Sequence, residues 1–308
     1  MGVCYQINKS KKIKINPPNL KNQRKSIKSD FFFSDDLTKK DDISKYYNIK
    51  EEYLGKGSCG IVCKATDSTG KTFAVKRVNK SLLKSYINMT EEVQISKELI
   101  NKNIIRTYEI YEDSKTISFV MDLIEGGDLF EYILNNNNGK LSENQTIDFL
   151  IQILETISYL HNELNIVHRD LKPENFLIEI KNNNNPIINL IDFGFACHIP
   201  KSGYMNSFFG SPIYTAPEII KKWSYNEKVD LWSIGIILFN MITGYQPFNT
   251  EGTDYDIDNE VLEKDVQFDV IPNENIRELC INLLEKYPAR RINAKDALQK
   301  AIQIKNSL

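Results

Sequence analysis

His168-Arg169-Asp170-Leu171-Lys172-Pro173-Glu174-Asn175-Phe176-Leu177 is the stretch on which the reading of this 308-residue chain turns. It fits the pattern H-R-D-L-x-x-x-N in full. A histidine beside an arginine–aspartate pair is, by itself, more often structural than chemical. The surroundings give the run its weight. Sixteen residues after Asn175, Ile191 introduces Asp192-Phe193-Gly194, and twenty-one residues separate Gly194 from Ala216-Pro217-Glu218. Upstream, Gly55-Lys56-Gly57-Ser58-Cys59-Gly60-Ile61-Val62 fits G-x-G-x-x-G-x-V, and Phe73-Ala74-Val75-Lys76 ends sixteen residues after Gly60. Five motifs in one order leave little room for coincidence.

The glycine run has a physical use: without Cβ atoms the backbone can approach phosphate oxygens and present N–H groups to them. On its own it reads more readily as a hairpin turn between strands. A dinucleotide fingerprint would require a helix after the glycines, yet Ile61, Val62 and Cys63 continue a strand. The G-x-x-x-x-G-K-[ST] phosphate loop does not occur. Lys76, ending an apolar triplet, needs a carboxylate to hold it. Glu92 on the following helix is assigned that part, and its neighbour Glu91 is read as solvated.

Around the motifs the periodicity changes twice. From Tyr47 to Val78 alternating apolar residues and glycines predict three antiparallel strands, followed by a helix over 81–100 and two strands near 104–111 and 116–122. Beyond Asp122 the chain is mainly helical. Ser142 and Gln145 form a capping box ahead of an apolar stripe running from Ile147 to Leu160. The segment 229–242 is apolar nearly all round, as in a helix buried at the centre of a large domain. Asn273 and Asn293 precede two further helices. The asparagine runs 135–138 and 182–185 read as loop insertions. Asp254-Tyr-Asp-Ile-Asp258 invites comparison with a calcium loop, but Asn259 and Asp265 stand where glycine and glutamate are required. A solvated acidic turn is expected there. The fold class is therefore α+β: a small antiparallel-sheet lobe with one key helix, then a larger helical lobe, with a ligand cleft between them.

A net charge of −2 gives no global case for nucleic acid. The five cysteines form no C-x-x-C pair, which suits a reducing compartment. No apolar run is long enough to span a bilayer, and there is no secretory leader, so a cytoplasmic protein is expected. Residues 1–29 carry eight basic side chains and no acidic one. Together with Pro17-Pro18 this makes 1–46 a flexible basic arm.

Residues 47–304 resemble a complete eukaryotic serine/threonine protein kinase catalytic domain. The resemblance is carried by HRDLKPENFL at 168–177, LIDFG at 190–194, DLWSIG at 230–235 and GYQPF at 244–248. Within that superfamily the chain is most similar to the calcium/calmodulin-dependent group, above all the calcium-dependent kinases of plants and protists, although no EF-hand is present. It implies a two-lobed kinase fold with an N-lobe over 47–121, a hinge over 122–125, a C-lobe over 126–304 and a tail over 305–308.

The same resemblance implies a set of ligands and residue roles. ATP and Mg2+ are the cofactors, and protein substrates the partners. Asp170 orients the incoming hydroxyl and accepts its proton, and Lys172 neutralises the moving phosphoryl group. Lys76, braced by Glu92, holds the α- and β-phosphates under Leu54, Gly55, Lys56, Gly57, Ser58, Cys59 and Gly60. Val62, Ala74 and Leu177 enclose adenine, Asp122 and Leu123 supply hinge backbone, and Met121 is the gatekeeper. Asp192 and Asn175 bind magnesium. Asp128 and Glu174 meet a basic residue of the substrate, and Ser207 is a phosphorylation site facing Arg169. Asp230 and a Glu218–Arg291 pair are structural. Met1-Gly2-Val3-Cys4 resembles the acylated start of such kinases. Myristate on Gly2 and palmitate on Cys4, aided by the basic arm, would bring a monomer to the cytoplasmic face of an anionic membrane.

Overall fold

The structure is a computed structural model that describes residues 37–56, 60–82, 86–180, 185–207 and 210–308. Its contacts divide the chain into two compact units, one of residues up to Leu83 with Thr107–Met121, the other of Lys84–Arg106 with Asp122–Leu308.

The first unit is a six-stranded sheet. Its strands are β1 (Thr38–Lys39), β2 (Tyr47–Lys56), β3 (Gly60–Asp67), β4 (Thr72–Asn79), β5 (Thr107–Glu112) and β6 (Thr116–Met121). They lie in the order β1-β5-β6-β4-β3-β2, antiparallel except for β1 on β5. One face closes over Ile43, Tyr47, Ala65, Phe73, Val75, Tyr111 and Val120. Tyr47 meets Phe73 edge-on at 5.6 Å between ring centroids. Register leaves Gly60 against β4, where a Cβ would stand 2.2 Å from the Arg77 carbonyl oxygen. Only glycine fits that approach.

The structure departs from the expected arm between Thr38 and Lys45. Leu37 accepts a hydrogen bond from the Ile110 amide at 2.8 Å, which starts β1 on the edge of β5. Asp42 caps a 3-10 turn over Ile43–Lys45, and Ile43 is buried. Lys39 forms an ion pair with Glu109, which also accepts hydrogen bonds of 2.8 Å from the Tyr47 and Tyr111 hydroxyls. A single apolar anchor and contacts about seventy residues apart have no periodicity to reveal them.

The second unit holds α1 (Tyr86–Glu98), α2 (Leu129–Leu134), α3 (Glu143–Asn162), α4 (Pro217–Ile220), α5 (Lys228–Thr243), α6 (Asp254–Glu263), α7 (Glu274–Leu283) and α8 (Ala294–Ser307). It also has two small antiparallel sheets, pairing β7 (Ile166–Val167) with β10 (Cys197–His198) and β8 (Phe176–Glu179) with β9 (Ile187–Leu190). The helix expected to belong with the sheet, α1, therefore groups with the helices. α3 begins at the Ser142–Gln145 capping box, and Asn273 and Asn293 cap α7 and α8. α5 is buried from Val229 to Ile242. Arg291 and Glu218, both about 1% exposed, meet through two bonds of 2.7 and 3.0 Å. Removing either partner of such a pair would cost about 3–5 kcal/mol.

The acidic segment at 254–258 is not a turn but the first half of α6. Thr253 and Asp256 make a reciprocal cap, and Ile257 and Val261, one helical turn apart, are buried. Among the described residues no helix is long and apolar enough to cross a membrane.

Candidate active site

In the first unit the sequence-assigned residues occupy neighbouring strands. Leu54, Gly55 and Lys56 end β2 and are exposed. Val62 pairs with Lys76 across β3 and β4, and Ala74 pairs with Met121 across β4 and β6. Ala74 is buried; Val62, Lys76 and Met121 are half-buried. Gly57, Ser58 and Cys59 lie outside the described residues, as do Gly2 and Cys4.

In the second unit the chemistry-bearing residues gather where several short elements end. Phe176 pairs with Leu190 and Leu177 with Asn189, and the Ile191 amide extends the ladder to the Asn175 carbonyl at 2.9 Å. Asn175 and Asp192 thus leave adjacent strands side by side. Asp192 has φ 61°, in the left-handed region, and its Oδ1 accepts from the Gly194 amide at 3.3 Å. Arg169 is also left-handed, at φ 69°. Such conformations cost about 1–3 kcal/mol and persist where surrounding bonds over-determine them.

Asp230 supplies such bonds at Arg169. Its carboxylate is buried and accepts from the His168 amide at 2.9 Å and the Arg169 amide at 2.8 Å, with His161 Nε2 at 2.8 Å. Burial pulls its pKa upward, but the His161 contact and the charges and amide around it prevail and hold it below the ordinary aspartate value. His168 is buried as well, and burial depresses its pKa although Asp230, Asp170 and Asp192 all pull the other way. Its ring meets Phe193 at 5.1 Å.

The Asp170 carboxylate is held by Ser211 and Lys172. Oδ1 accepts from the Ser211 amide at 3.1 Å and from the Ser211 hydroxyl at 2.9 Å. The Lys172 ammonium is 3.3 Å from Oδ2 and donates to Ser211 Oγ at 3.0 Å. Asn175 Nδ2 donates to the Asp170 carbonyl at 2.7 Å. A cavity lined by Arg169, Asp170, Gly210, Ser211, Tyr214 and Thr215 opens beside it. Ser211 had no role in the sequence reading. Its signal was available: it stands in the run Gly210-Ser-Pro-Ile-Tyr-Thr-Ala-Pro-Glu218, but forty-one residues from its partner.

The remaining assigned residues are more dispersed. Asp128 caps α2, its Oδ1 accepting from the Glu131 amide at 2.8 Å. Glu174 is exposed, and its charge contributes, after burial, to the raised pKa of Tyr214. The Asp122 amide donates to the Arg106 carbonyl at 3.2 Å, and Leu123 and Leu177 are half-buried. Ser207 is exposed, and its carbonyl accepts from the Tyr225 hydroxyl. Arg169 reaches that same hydroxyl at 3.3 Å and the Phe195 carbonyl at 2.6 Å. Glu92 is buried, with its carboxylate close to Gly194. Glu91, expected in solvent, accepts from the His198 amide at 2.9 Å. Among the described residues no group of three His, Cys, Asp or Glu side chains is arranged to hold a metal by itself.

Comparison with known proteins gives the family. Residues 47–302 match the protein kinase domain family. The chain is 38% identical over 234 residues to calcium-dependent protein kinase 5 of Plasmodium berghei, covering 76% of this chain and 41% of that protein. It is 36% identical over 263 residues to calcium-dependent protein kinase 4 of the same organism, covering 83% and 48%. Against calcium-dependent protein kinase 33 of Arabidopsis thaliana it is 34% identical over 268 residues, covering 84% and 50%. The chain therefore spans half or less of the length of these curated relatives. With its motifs in order, Lys172 and Ser211 converging on Asp170, and residues 47–302 matched, this chain belongs to the protein kinase domain family.

Proposed function

We propose that the chain transfers the terminal phosphoryl group of magnesium-bound ATP to serine and threonine hydroxyls of protein substrates. The cluster at Asp170 is the observation that supports this reading most directly. Phosphoryl transfer asks for positioning and charge neutralisation rather than covalent help. A carboxylate oriented by two donors from Ser211, with the Lys172 ammonium beside it, is suited to both tasks. Asp170 orients the hydroxyl and takes its proton, while Lys172 offsets charge on the transferring group. Magnesium-ATP supplies the phosphoryl group and the divalent charge. Asn175 Nδ2 is engaged with the Asp170 carbonyl, which leaves Oδ1 as the atom suited to a hard cation alongside Asp192. A magnesium ion held by one carboxylate and one amide would share its remaining positions with phosphate oxygens and water. Lys76 is assigned to phosphate oxygens on family membership.

The finer reading is a basophilic, membrane-associated monomer. Asp128 keeps Oδ2 clear of its capping bond and Glu174 is exposed, so both can meet a substrate cation. Phosphate on Ser207 would join the group already linking Arg169, Tyr225 and Ser207. Acylation of Gly2 and Cys4 would add two anchors to the basic arm, and two are what stable membrane attachment requires.

Incubating the purified chain with magnesium-ATP and an array of serine- and threonine-containing peptides, with and without calcium, tests the reading. Phosphate should appear on peptides with a basic residue ahead of the acceptor, independently of calcium. Asp170→Asn should lower incorporation by about 10²–10⁴-fold. Equal incorporation by wild type and variant would overturn the assignment.

A further inference from the structure

His198 belongs to none of the five motifs, yet it stands between two carboxylates of one helix. Its backbone amide donates to Glu91 Oε1 at 2.9 Å. Its ring Nδ1 is 3.6 Å from that same oxygen, and Nε2 is 3.0 Å from Glu98 Oε2. Glu91 and Glu98 are two turns apart on one side of α1, so the ring spans that side of the helix. At 3.6 Å the Nδ1 contact is an electrostatic neighbour rather than a hydrogen bond, whereas the Nε2 contact is a full one. Both ring nitrogens face carboxylate oxygens, one from each end of this side of the helix.

Each end of the contact leads to assigned chemistry. On the helix side, Glu92 directly follows Glu91, is buried, and points its carboxylate toward Gly194. On the strand side, His198 pairs with Ile166 and Cys197 with Val167, and the Ile199 amide bonds the Asn165 carbonyl at 2.6 Å. β7 runs directly into His168, Arg169 and Asp170. The antiparallel pairing leaves the His198 amide facing away from β7, and Glu91 satisfies it. α1 is thus fastened, through one residue, to the strand pair that carries the Asp170 loop.

We propose that His198 is a positioning residue for phosphoryl transfer, clamping α1 through Glu91 and Glu98 so that Glu92 is held in place relative to the Asp170 loop. The proposal rests on the reading of the chain as a kinase. Glu91, Glu98 and His198 keep side-chain exposures of 30, 32 and 38%, so solvent screens the charges and the effect is graded rather than absolute.

The test compares wild type with His198→Ala, His198→Phe and His198→Arg in steady-state peptide phosphorylation, with hydrogen exchange of α1 amides in parallel. Ala and Phe should each lower kcat about fivefold or more, within the range of site-to-site coupling, leaving KM for the peptide unchanged. Exchange of the Glu92–Glu98 amides should rise in both. Arg, which supplies N–H donors for both carboxylates but not the ring, should recover most of the activity and protection. Glu98→Gln should reproduce the Ala effect in part. Unchanged kcat and exchange in Ala and Phe, or losses that Arg fails to recover, would overturn the clamp. An inactive wild type would instead strike at the kinase reading, while hydrogen exchange would still decide whether His198 fastens α1.

Discussion

The Ser211 hydroxyl donates to Oδ1 of Asp170 across 2.9 Å, joining two residues forty-one positions apart in the chain. Ser211 also accepts from Lys172, so one small side chain orders both groups assigned to the transfer. Hydrogen bonds to charged groups are worth about 1.5–3 kcal/mol.

Ser211→Ala removes the hydroxyl bonds and keeps the backbone bond. Loss of that size, if felt in the transition state, lowers kcat by about 10–100-fold. Ser211→Thr retains the hydroxyl and should keep most of the activity. Steady-state kinetics on both variants decides the point; Ala with wild-type kcat would show that the contact is idle during turnover.

Acid should destabilise the second unit through Asp230 and His168. His168 has a pKa lowered by burial, so the unfolded chain takes up its proton first as pH falls below about 6.5, and stability begins to decline there. Asp230 is held below its ordinary value, so its contribution is present above about pH 3.9 and is lost as pH falls further. Denaturant unfolding at a series of pH values should therefore show two successive losses. Asp230→Asn should reduce the lower one, to which other carboxylates with lowered pKa such as Glu109 and Asp113 also contribute, and lower stability at pH 7.

Gly126 has no space for a side chain: a Cβ there would stand 2.0 Å from the Ile178 carbonyl oxygen. That oxygen belongs to β8, whose Ile178 amide bonds the Gly127 carbonyl at 2.9 Å. Gly126→Ala must push the two segments apart and should cost about 1–3 kcal/mol, the usual penalty of overpacking. A melting temperature equal to wild type would show that the two segments can part without cost.

Thiol chemistry should be confined to the cysteines outside the described residues. Cys63, Cys197 and Cys280 are buried, and burial raises all three thiols, Cys197 to about 11. Little thiolate is then present for alkylation at neutral pH. Mass spectrometry after brief iodoacetamide treatment should find label on Cys4 and Cys59, with magnesium-ATP slowing reaction at Cys59. Label on Cys197 in the native protein would contradict the burial argument.

Residues within four positions of one another wrote their structure into the sequence. The Ser142–Gln145 cap, the Asn273 and Asn293 caps, the buried apolar triplet of β4 and the largely apolar α5 are short-range patterns legible in the sequence. The order and spacing of the motifs did the same for the family, because the groups that handle phosphate tolerate few substitutes. The α6 segment shows the limit even at short range: a run of acids reads as solvent-facing until Ile257 and Val261 find a surface to bury against. Of the contacts that depend on distant chain closure, the Glu218–Arg291 pair was implied by the family resemblance, and the others were decided by the tertiary structure. The Lys39–Glu109 pair, the grip of Asp230 on the His168 and Arg169 amides, the Ser211–Asp170 bond and the His198 contact to Glu91 and Glu98 each join residues some forty to more than a hundred positions apart. Such contacts have no period, and any serine, histidine or glutamate on the surface would look the same in sequence. Only packing chooses which of them meet, since it fixes both partners' backbones before their side chains can find each other.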